Sequence, residues 1–403
     1  MTRLRLPLLV CLLLFLSPPL EAQTPEPVDT AQVALPWPQN MQQRLDSLVA
    51  DPLLEQTQLG LMVYDLSADS AIYRYGSRQT LRPASTMKLL TAITALDLLG
   101  RDYHLRTSLL YQGQVKGRTL VGDVFLVGGM DPLFDETDMR VFVETLRRME
   151  VDTIRGRIVC DTSFKEENLL GEGWCWDDDN PHLSPLLISR KDEFATTLVA
   201  SLREAGVIVE ASITVGRVSK DALLVSSRSH KIVELLEPMM KESDNLYAEA
   251  LFFQIAAATG QRPAKAVHAR QAIKRLIAKT GFTGVPYRVA DGSGLSLYNY
   301  VSPELMVSIL RYAYLQRDII SILYPSLPIA GEDGTLKKRM ATPRVRGNVH
   351  AKTGTLSGIS SLAGYCRAAC GHVLAFCIIN QGVMKASEGR AFQDRVCEAL
   401  CRP

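Results

Sequence analysis

Apolar and polar residues alternate near both ends of the chain, whereas apolar residues recur every three or four positions between those ends. The first pattern is typical of half-buried strands and the second of helices. Strands are predicted over residues 59–66, 71–75, 350–355, 361–367 and 373–380. Helices are predicted over residues 40–50, 83–100, most of 231–315, and the last segment to about residue 400. The order predicts a mixed α and β protein.

The middle of the chain has a different texture, with short strands predicted over residues 107–112, 120–127, 154–160 and 208–215. Two amphipathic helices, predicted over residues 138–149 and 194–205, lie between them. We therefore predict an inserted α+β domain over residues 105–225. It splits a larger domain into residues 23–104 and 226–403, which agrees with a chain of 403 residues.

The N-terminus has the pattern of a secretory signal peptide. Arg3 and Arg5 precede an apolar run over residues 6–16, and Ala22 ends a passable cleavage site. The alternative, a membrane anchor, is disfavoured because the run is too short to span a bilayer. We expect residues 1–22 to be removed and the remainder to be secreted.

Composition excludes several classes of protein. Hydrophobic residues make up 47% of the chain and charged residues 22%, which argues against a disordered protein. A net charge of +2 gives no electrostatic case for nucleic acid as a partner. The cysteines are too sparse for a disulfide framework, and no C-x-x-C spacing or histidine cluster predicts a metal site. They are expected to be buried small hydrophobic residues, with one or two disulfides as an open alternative.

Ser85 and Lys88 are the first candidates for chemistry. They lie three residues apart at the start of a predicted helix, so the Lys88 amine can reach the Ser85 hydroxyl on one helix face. A serine nucleophile needs a base to remove its proton. Lys88 can be that base if burial or a neighbouring cation lowers the pKa of its amine. A chain of this length should contain about one S-x-x-K by chance, so the pair alone is weak evidence.

Two further triplets strengthen the hypothesis: Ser243-Asp244-Asn245 after a predicted helix, and Lys352-Thr353-Gly354 in a predicted strand. Serine acyl enzymes that act on D-Ala-D-Ala or on β-lactams combine S-x-x-K, S-D-N and K-T-G in this order. A second K-T-G begins at Lys279, but it ends a predicted helix, where Gly281 is typical of a C-terminal cap. We therefore assign Lys279 a structural role.

On these motifs the sequence resembles the low-molecular-mass class C penicillin-binding proteins, which are D-Ala-D-Ala carboxypeptidases and endopeptidases. Five more segments share the resemblance: residues 122–132, 173–178, 291–296, 326–336 and 349–365. The chain departs from the family pattern in a shorter interval between the first two motifs and in Asp244, where many members carry another small residue. The resemblance implies a serine β-lactamase/transpeptidase-like α+β fold, with an antiparallel sheet flanked by helices.

The resemblance also implies catalytic roles. Ser85 would attack the carbonyl of the penultimate D-Ala, with Lys88 as general base. Ser243 would pass a proton to the leaving D-Ala, and Asn245 would orient a peptide amide. Lys352 would keep the local potential positive, which attracts the substrate carboxylate and discourages protonation of Lys88.

Substrate-binding roles follow from the same resemblance. Backbone N–H groups of Ser85 and Thr355 would form an oxyanion hole, and the segment Thr353, Gly354 and Thr355 would hold the terminal carboxylate. Asp131 would bind the free amino end of the peptide's diamino acid. The alternative for Asp131 is a turn aspartate before a proline.

The leading hypothesis is a secreted, periplasmic serine peptidase that acts on peptidoglycan stem peptides ending in D-Ala-D-Ala and on their cross-links. Such an enzyme is inhibited by β-lactam antibiotics and needs no metal or organic cofactor. The runner-up is a serine β-lactamase, but no E-x-x-L-N, which would supply its deacylating glutamate, occurs between Asn245 and Lys352. A catalytically inactive wall-binding protein is disfavoured because all three triplets are intact.

Overall fold

Two five-stranded sheets, each covered by helices, account for most of the described chain. The computed structural model describes residues 1–2, 35–177 and 180–403. The predicted signal peptide, residues 1–22, lies outside the described residues except for its first two. Residues from Trp37 to Pro403 form one compact unit.

The strands of the described residues are β1 (Gln58–Asp65), β2 (Ser70–Tyr75), β3 (His104–Lys116), β4 (Thr119–Val127), β5 (Thr153–Asp161), β6 (Ile208–Val215), β7 (Leu223–Lys231), β8 (His350–Leu356), β9 (Ile359–Arg367) and β10 (Val373–Gln381). The helices are α1 (Gln39–Leu48), α2 (Leu53–Gln56), α3 (Met87–Leu99), α4 (Glu136–Arg148), α5 (Phe194–Glu204), α6 (Ile232–Lys241), α7 (Asn245–Ala257), α8 (Ala266–Lys279), α9 (Pro303–Leu315), α10 (Arg317–Ser326) and α11 (Ala386–Cys401). Most begin and end within a few residues of the positions predicted from the sequence.

The first sheet joins the two ends of the described chain in the order β2-β1-β10-β9-β8, with every pair antiparallel. Helices cover both of its faces, and the central strand β10 shows how. Leu374, Phe376 and Ile378 enter a hydrophobic cluster shared with α1 and α11, whereas the residues between them enter the cluster formed with α3, α7 and α9. Alternate side chains of a strand point to opposite faces, so a nearly continuous apolar strand indicates a sheet covered on both sides.

The second sheet is mixed, with the order β6-β5-β4-β3-β7. Strands β4, β5 and β6 are parallel, because α4 and α5 carry the chain back between them, as parallel pairing requires. The aromatic rings of Phe134, Phe142 and Phe194 fill the space between this sheet and its helices, with centroids 4.8–6.4 Å apart. All three side chains are buried.

Three of these elements were not predicted from the sequence: β7, α10 and the four-residue helix α2. Strand β7 lies at the edge of the second sheet and none of its nine residues is buried, so its sequence carries little apolar alternation. Helix α10 follows the predicted helical region and contains Pro325 in its last turn. The predicted domain boundary between residues 225 and 226 falls inside β7, which leads directly into α6. The division into domains stays a prediction.

Calorimetry of two matched variants tests that division. Phe142→Ala removes a buried ring beneath the second sheet, and Phe376→Ala removes one beneath the first. Each should lower the free energy of unfolding of its own region by about 3–5 kcal/mol. We expect two thermal transitions, of which each variant moves only one. A single transition that moves as a whole in both variants would contradict the predicted domains.

Candidate active site

Ser85 lies in one turn of 3₁₀ helix, Ala84–Thr86, that leads without a break into α3. Two features hold this turn. Ala84 has a left-handed backbone with φ 48°, and the Thr86 hydroxyl donates to the Pro83 carbonyl oxygen at 2.7 Å. Left-handed backbone costs free energy for a residue other than glycine and clusters at functional sites. The turn leaves Ser85 half-buried, with its hydroxyl facing the next residues of the motif.

Lys88 is completely buried, and three oxygen atoms surround its amine. Its Nζ lies 3.0 Å from Ser85 Oγ, 2.7 Å from Asn245 Oδ1 and 2.9 Å from the carbonyl oxygen of Ser293. The last two oxygens can only accept hydrogen bonds, so a neutral amine that donates to both directs its lone pair at Ser85 Oγ. This geometry suits a base that removes the hydroxyl proton of Ser85.

The surroundings of Lys88 favour that neutral form. Burial lowers the pKa of the Lys88 amine to about 8, while the negative charges of Asp291, Glu249 and Asp244 oppose the fall. Burial acts in this direction because a low-polarity environment penalises the charged form of an amine. A useful fraction of Lys88 is therefore unprotonated near neutral pH.

Lys352 on β8 is the second completely buried lysine of the site. Its Nζ lies 2.8 Å from Ser243 Oγ and 2.9 Å from the carbonyl oxygen of Thr353. Burial and the positive charge of Lys88 hold the pKa of the Lys352 amine well below its usual range. Because like charges disfavour each other in a dry site, the two lysines do not both keep a proton easily.

The second motif owes its geometry to its middle residue. Asp244 is the N-cap of α7, and its Oδ1 accepts from the backbone N–H of Leu246 at 2.9 Å and of Tyr247 at 3.4 Å. An aspartate at this position satisfies N–H groups that the helix leaves free. Asn245 then begins the helix and reaches Lys88, while Ser243, with φ 63°, turns back towards Lys352. Asp244, which departs from the family pattern in the sequence, therefore serves as the cap of helix α7.

Gly354 allows β8 to lie directly against the Ser85 turn. A Cβ atom at this position would lie 2.2 Å from Ser361 Oγ, 2.8 Å from the Pro83 carbonyl oxygen and 3.0 Å from the Ser85 nitrogen. No residue larger than glycine fits without moving the strand. On the same strand, Thr353 is half-buried and donates to Thr335 Oγ1 at 2.8 Å, whereas Thr355 is exposed.

The structure thus brings together the five residues predicted to be catalytic: Ser85, Lys88 and Asn245 in one hydrogen-bonded group, and Ser243 and Lys352 in another. The two groups are joined through the second motif. The roles assigned to these residues stay predictions.

Asp131 lies in a different environment from these residues. Its side chain is buried, its Oδ2 lies 2.7 Å from His230 Nδ1, and its Oδ1 accepts from the Leu133 N–H at 3.0 Å. The Asp131 carboxylate raises the pKa of His230. These contacts are those of a turn aspartate paired with a histidine, and its predicted role in binding an amino group stays a prediction.

A buried carboxylate network behind Lys88 was missed by the sequence analysis. Glu249 on α7 accepts from the N–H groups of Gly292 at 3.0 Å and Ser293 at 2.7 Å, which orients the Ser293 carbonyl towards Lys88. Burial and the neighbouring charge of Asp291 raise the pKa of Glu249 to about 8. Asp291 in turn accepts from the indole N–H of Trp174 at 2.8 Å. The sequence signals were the family-like segments 173–178 and 291–296, which contain Trp174 and Asp291.

Other candidate residues lie outside the site. Lys279, in the second K-T-G, ends α8 and pairs with Asp97 at 2.6 Å, as its structural role predicts. The seven cysteines of the described residues are free thiols, and five are buried. In the same part of the chain, no three His, Cys, Asp or Glu side chains are grouped so that they could hold a metal ion. Nor does any helix there have both the length and the apolar character to cross a membrane.

Most of the chain, and not only this site, matches a known protein family. The family model of the D-Ala-D-Ala carboxypeptidase 3 (S13) family matches residues 41–191 and 188–402. The chain belongs to this S13 family. Membership makes the protein a peptidase, and it confirms the family predicted from the three motifs.

Individual proteins agree. This S13 family member is 27% identical over 442 residues to a D-alanyl-D-alanine carboxypeptidase of Actinomadura sp. (strain R39), covering 85% of this chain and 81% of that protein. Its fold is similar to that of penicillin binding protein 4 (dacB) from Haemophilus influenzae, with a TM-score of 0.80 and 24% identity. The match covers 88% of this chain and 98% of that one. A predatory peptidoglycan endopeptidase of Bdellovibrio bacteriovorus matches with a TM-score of 0.56 at 16% identity, over 85% of this chain and 91% of that one. The predicted fold class is confirmed.

Removal of the Lys352 amine should stabilise the S13 family member. Lys352→Met replaces a completely buried amine that has no counter-ion among its hydrogen-bond partners, so we expect the free energy of unfolding at pH 7 to rise by about 0.5–2 kcal/mol. The advantage should shrink as the pH rises towards 10. In that range the unfolded wild-type lysine still binds a proton that the folded one has lost, so wild-type stability increases with pH.

Thermal unfolding of both proteins from pH 7 to 10 measures this effect. Lys279→Met is the matched control, since it changes the exposed lysine of the other K-T-G and should give no gain. A Lys352→Met protein that is less stable than wild type at every pH would contradict the prediction.

Proposed function

We propose that this protein is a serine D-Ala-D-Ala carboxypeptidase and DD-endopeptidase that acts on peptidoglycan stem peptides through an acyl-serine intermediate. The observation that carries the proposal is the Lys88 amine, 3.0 Å from Ser85 Oγ and fixed by two further acceptors. Family membership supports the carboxypeptidase activity. The fold shared with a peptidoglycan endopeptidase is compatible with cleavage of cross-links.

Acylation begins when neutral Lys88 removes the proton of Ser85 as Oγ attacks the carbonyl carbon of the penultimate D-Ala. The resulting oxyanion accepts hydrogen bonds from the backbone N–H groups of Ser85 and Thr355. The close approach of Gly354 to the Ser85 nitrogen supports this pairing, because it sets β8 beside the Ser85 turn. Each such donor typically contributes about 10²–10³ in rate.

Departure of the terminal D-Ala completes the first half of the reaction. The peptide C–N bond breaks, and the proton that Lys88 took from Ser85 passes to the leaving amine through the hydroxyl of Ser243, which lies 2.8 Å from Lys352 Nζ. Lys88 is then neutral again. The hydroxyls of Thr353 and Thr355 bind the terminal carboxylate. That negative charge favours protonated Lys352, and the repulsion between the two lysines then favours neutral Lys88.

Hydrolysis of the acyl-enzyme completes the cycle. Water attacks the acyl carbonyl as Lys88 takes its proton, and Lys88 then returns that proton to Ser85 Oγ, 3.0 Å away, as the ester C–O bond breaks. No metal or organic cofactor takes part in these steps. In the endopeptidase reaction, the leaving amine belongs to the diamino acid of a neighbouring stem peptide. β-Lactam antibiotics would acylate Ser85 in the same way and inhibit the enzyme.

We place the protein in the periplasm, where its substrate lies, after secretion directed by residues 1–22.

Penicillin labelling tests the nucleophile. Wild-type protein should gain the mass of one penicilloyl group, and Ser85→Ala should gain none, because the hydroxyl that forms the ester is absent. The same substitution should reduce D-Ala release from a purified disaccharide-peptide dimer by at least about 10³-fold. Intact-mass spectrometry and chromatography of the products provide the two measurements, and the products separate D-Ala release from cross-link cleavage.

The matched control is Ser357→Ala, an exposed serine in the turn between β8 and β9, which should label and cleave like wild type. An adduct that survives Ser85→Ala would exclude Ser85 as nucleophile. Rapid turnover of nitrocefin by the wild-type protein would instead favour a β-lactamase.

The pH dependence of acylation tests the base. The rate constant for labelling by a fluorescent penicillin should rise with pH through about 8, because Lys88 acts only when neutral and its pKa lies there. Asn245→Asp places a carboxylate where Oδ1 lies 2.7 Å from Lys88 Nζ, which raises the pKa of the lysine and should move this rise to higher pH. A labelling rate independent of pH between 6 and 10 would contradict Lys88 as the base.

A further inference from the structure

A strained turn in the middle of the chain meets the second motif. Ile188 and Lys191 exchange backbone hydrogen bonds of 3.0 and 2.9 Å, which leaves Ser189 and Arg190 as the two central residues of a tight turn. Both have left-handed backbone, with φ 46° and 70°. Two-residue turns with positive φ at both positions favour pairs such as Asn-Gly, so the pair Ser-Arg raises the conformational free energy of this turn. Strain of this kind persists where the surrounding structure holds it, often at functional sites.

Contacts with the first turn of α7 hold Arg190 in that conformation. Its guanidinium forms an ion pair with Asp244, whose side chain is only 9% exposed. The same guanidinium lies 5.8 Å from the centroid of the Tyr247 ring, within the range of a cation–π contact. Arg190 is thus tied to two residues at the start of one helix, by an ion pair and by a ring contact.

Asp244 uses both carboxylate oxygens, and its position sets those of its neighbours. Oδ1 caps α7, and Oδ2 faces Arg190. The residue before it, Ser243, has left-handed backbone and bonds to Lys352, and the residue after it, Asn245, bonds to Lys88. A shift of Asp244 would therefore move both partners of the two buried lysines at once.

We propose that Arg190 is a positioning residue: its ion pair with Asp244 holds Ser243 and Asn245 against the two lysines. The proposal rests on the proposed function, since it assigns Arg190 to the acylation reaction of that site. The Arg190 side chain is 55% exposed, and an ion pair with a solvent-exposed partner is weakened by screening, so the expected effect is on the reaction and not on folding.

Arg190→Gly separates the two effects. Glycine adopts the left-handed turn without strain, so the melting temperature should equal or exceed that of wild type. The acylation rate with a fluorescent penicillin should nevertheless fall roughly 10–100-fold, because small displacements of catalytic groups cost rate steeply. Arg190→Lys keeps the positive charge and should recover part of the lost rate.

Ser189→Gly is the matched control, because it relieves the same turn and keeps the guanidinium; its acylation rate should equal that of wild type. Asp244→Asn combined with Arg190→Gly should be no slower than the slower single variant, since both changes break one ion pair. A wild-type rate in Arg190→Gly, a loss that Ser189→Gly shares, or a loss accompanied by a lower melting temperature would overturn the proposal. Wild-type protein that forms no penicilloyl adduct would overturn the proposed function and this inference with it.

Discussion

The structure depends on keeping two lysine amines out of water without placing a carboxylate against either one. Lys88 and Lys352 are completely buried, and their direct partners are hydroxyl, amide and carbonyl oxygens. A buried amine with a counter-ion would be held in its charged form, whereas one bonded to neutral acceptors loses its proton more easily. The carboxylates of Asp291 and Glu249 are not among the direct partners of Lys88, but their charges limit the lowering of its pKa by burial.

Three segments far apart in the chain must meet for that arrangement to form. The Ser85 turn, the start of α7 and strand β8 each supply one part, and a glycine on β8 permits the closest approach. Helix α7 is central, because one turn carries Asn245 and the next carries Glu249, which orients the Ser293 carbonyl. Its nearly complete burial explains an apolar sequence without a polar face.

Much of the fold and site could be predicted from the sequence, because alternating strands and ordered triplets are local patterns. The strands of the first sheet, strands β3 to β6 of the second sheet and the five residues that meet around the lysines follow from such patterns. Strand β7 could not be predicted, since an edge strand with little burial leaves no clear alternation. The Ser293 carbonyl and the turn at Arg190 depend on backbone geometry and on contacts between distant segments, which single residues do not reveal.

The hydrogen bond between Trp174 and Asp291 gives the molecule an optical property. The chain has three tryptophans, and Trp174 donates its indole N–H to a buried carboxylate adjacent to the loop that holds Lys88. Indole emission responds to nearby charge, and the neighbouring Trp176 is 85% exposed and so samples solvent instead. Intrinsic fluorescence of Trp174 therefore offers a label-free signal from the interior of the site, without any probe attached to it.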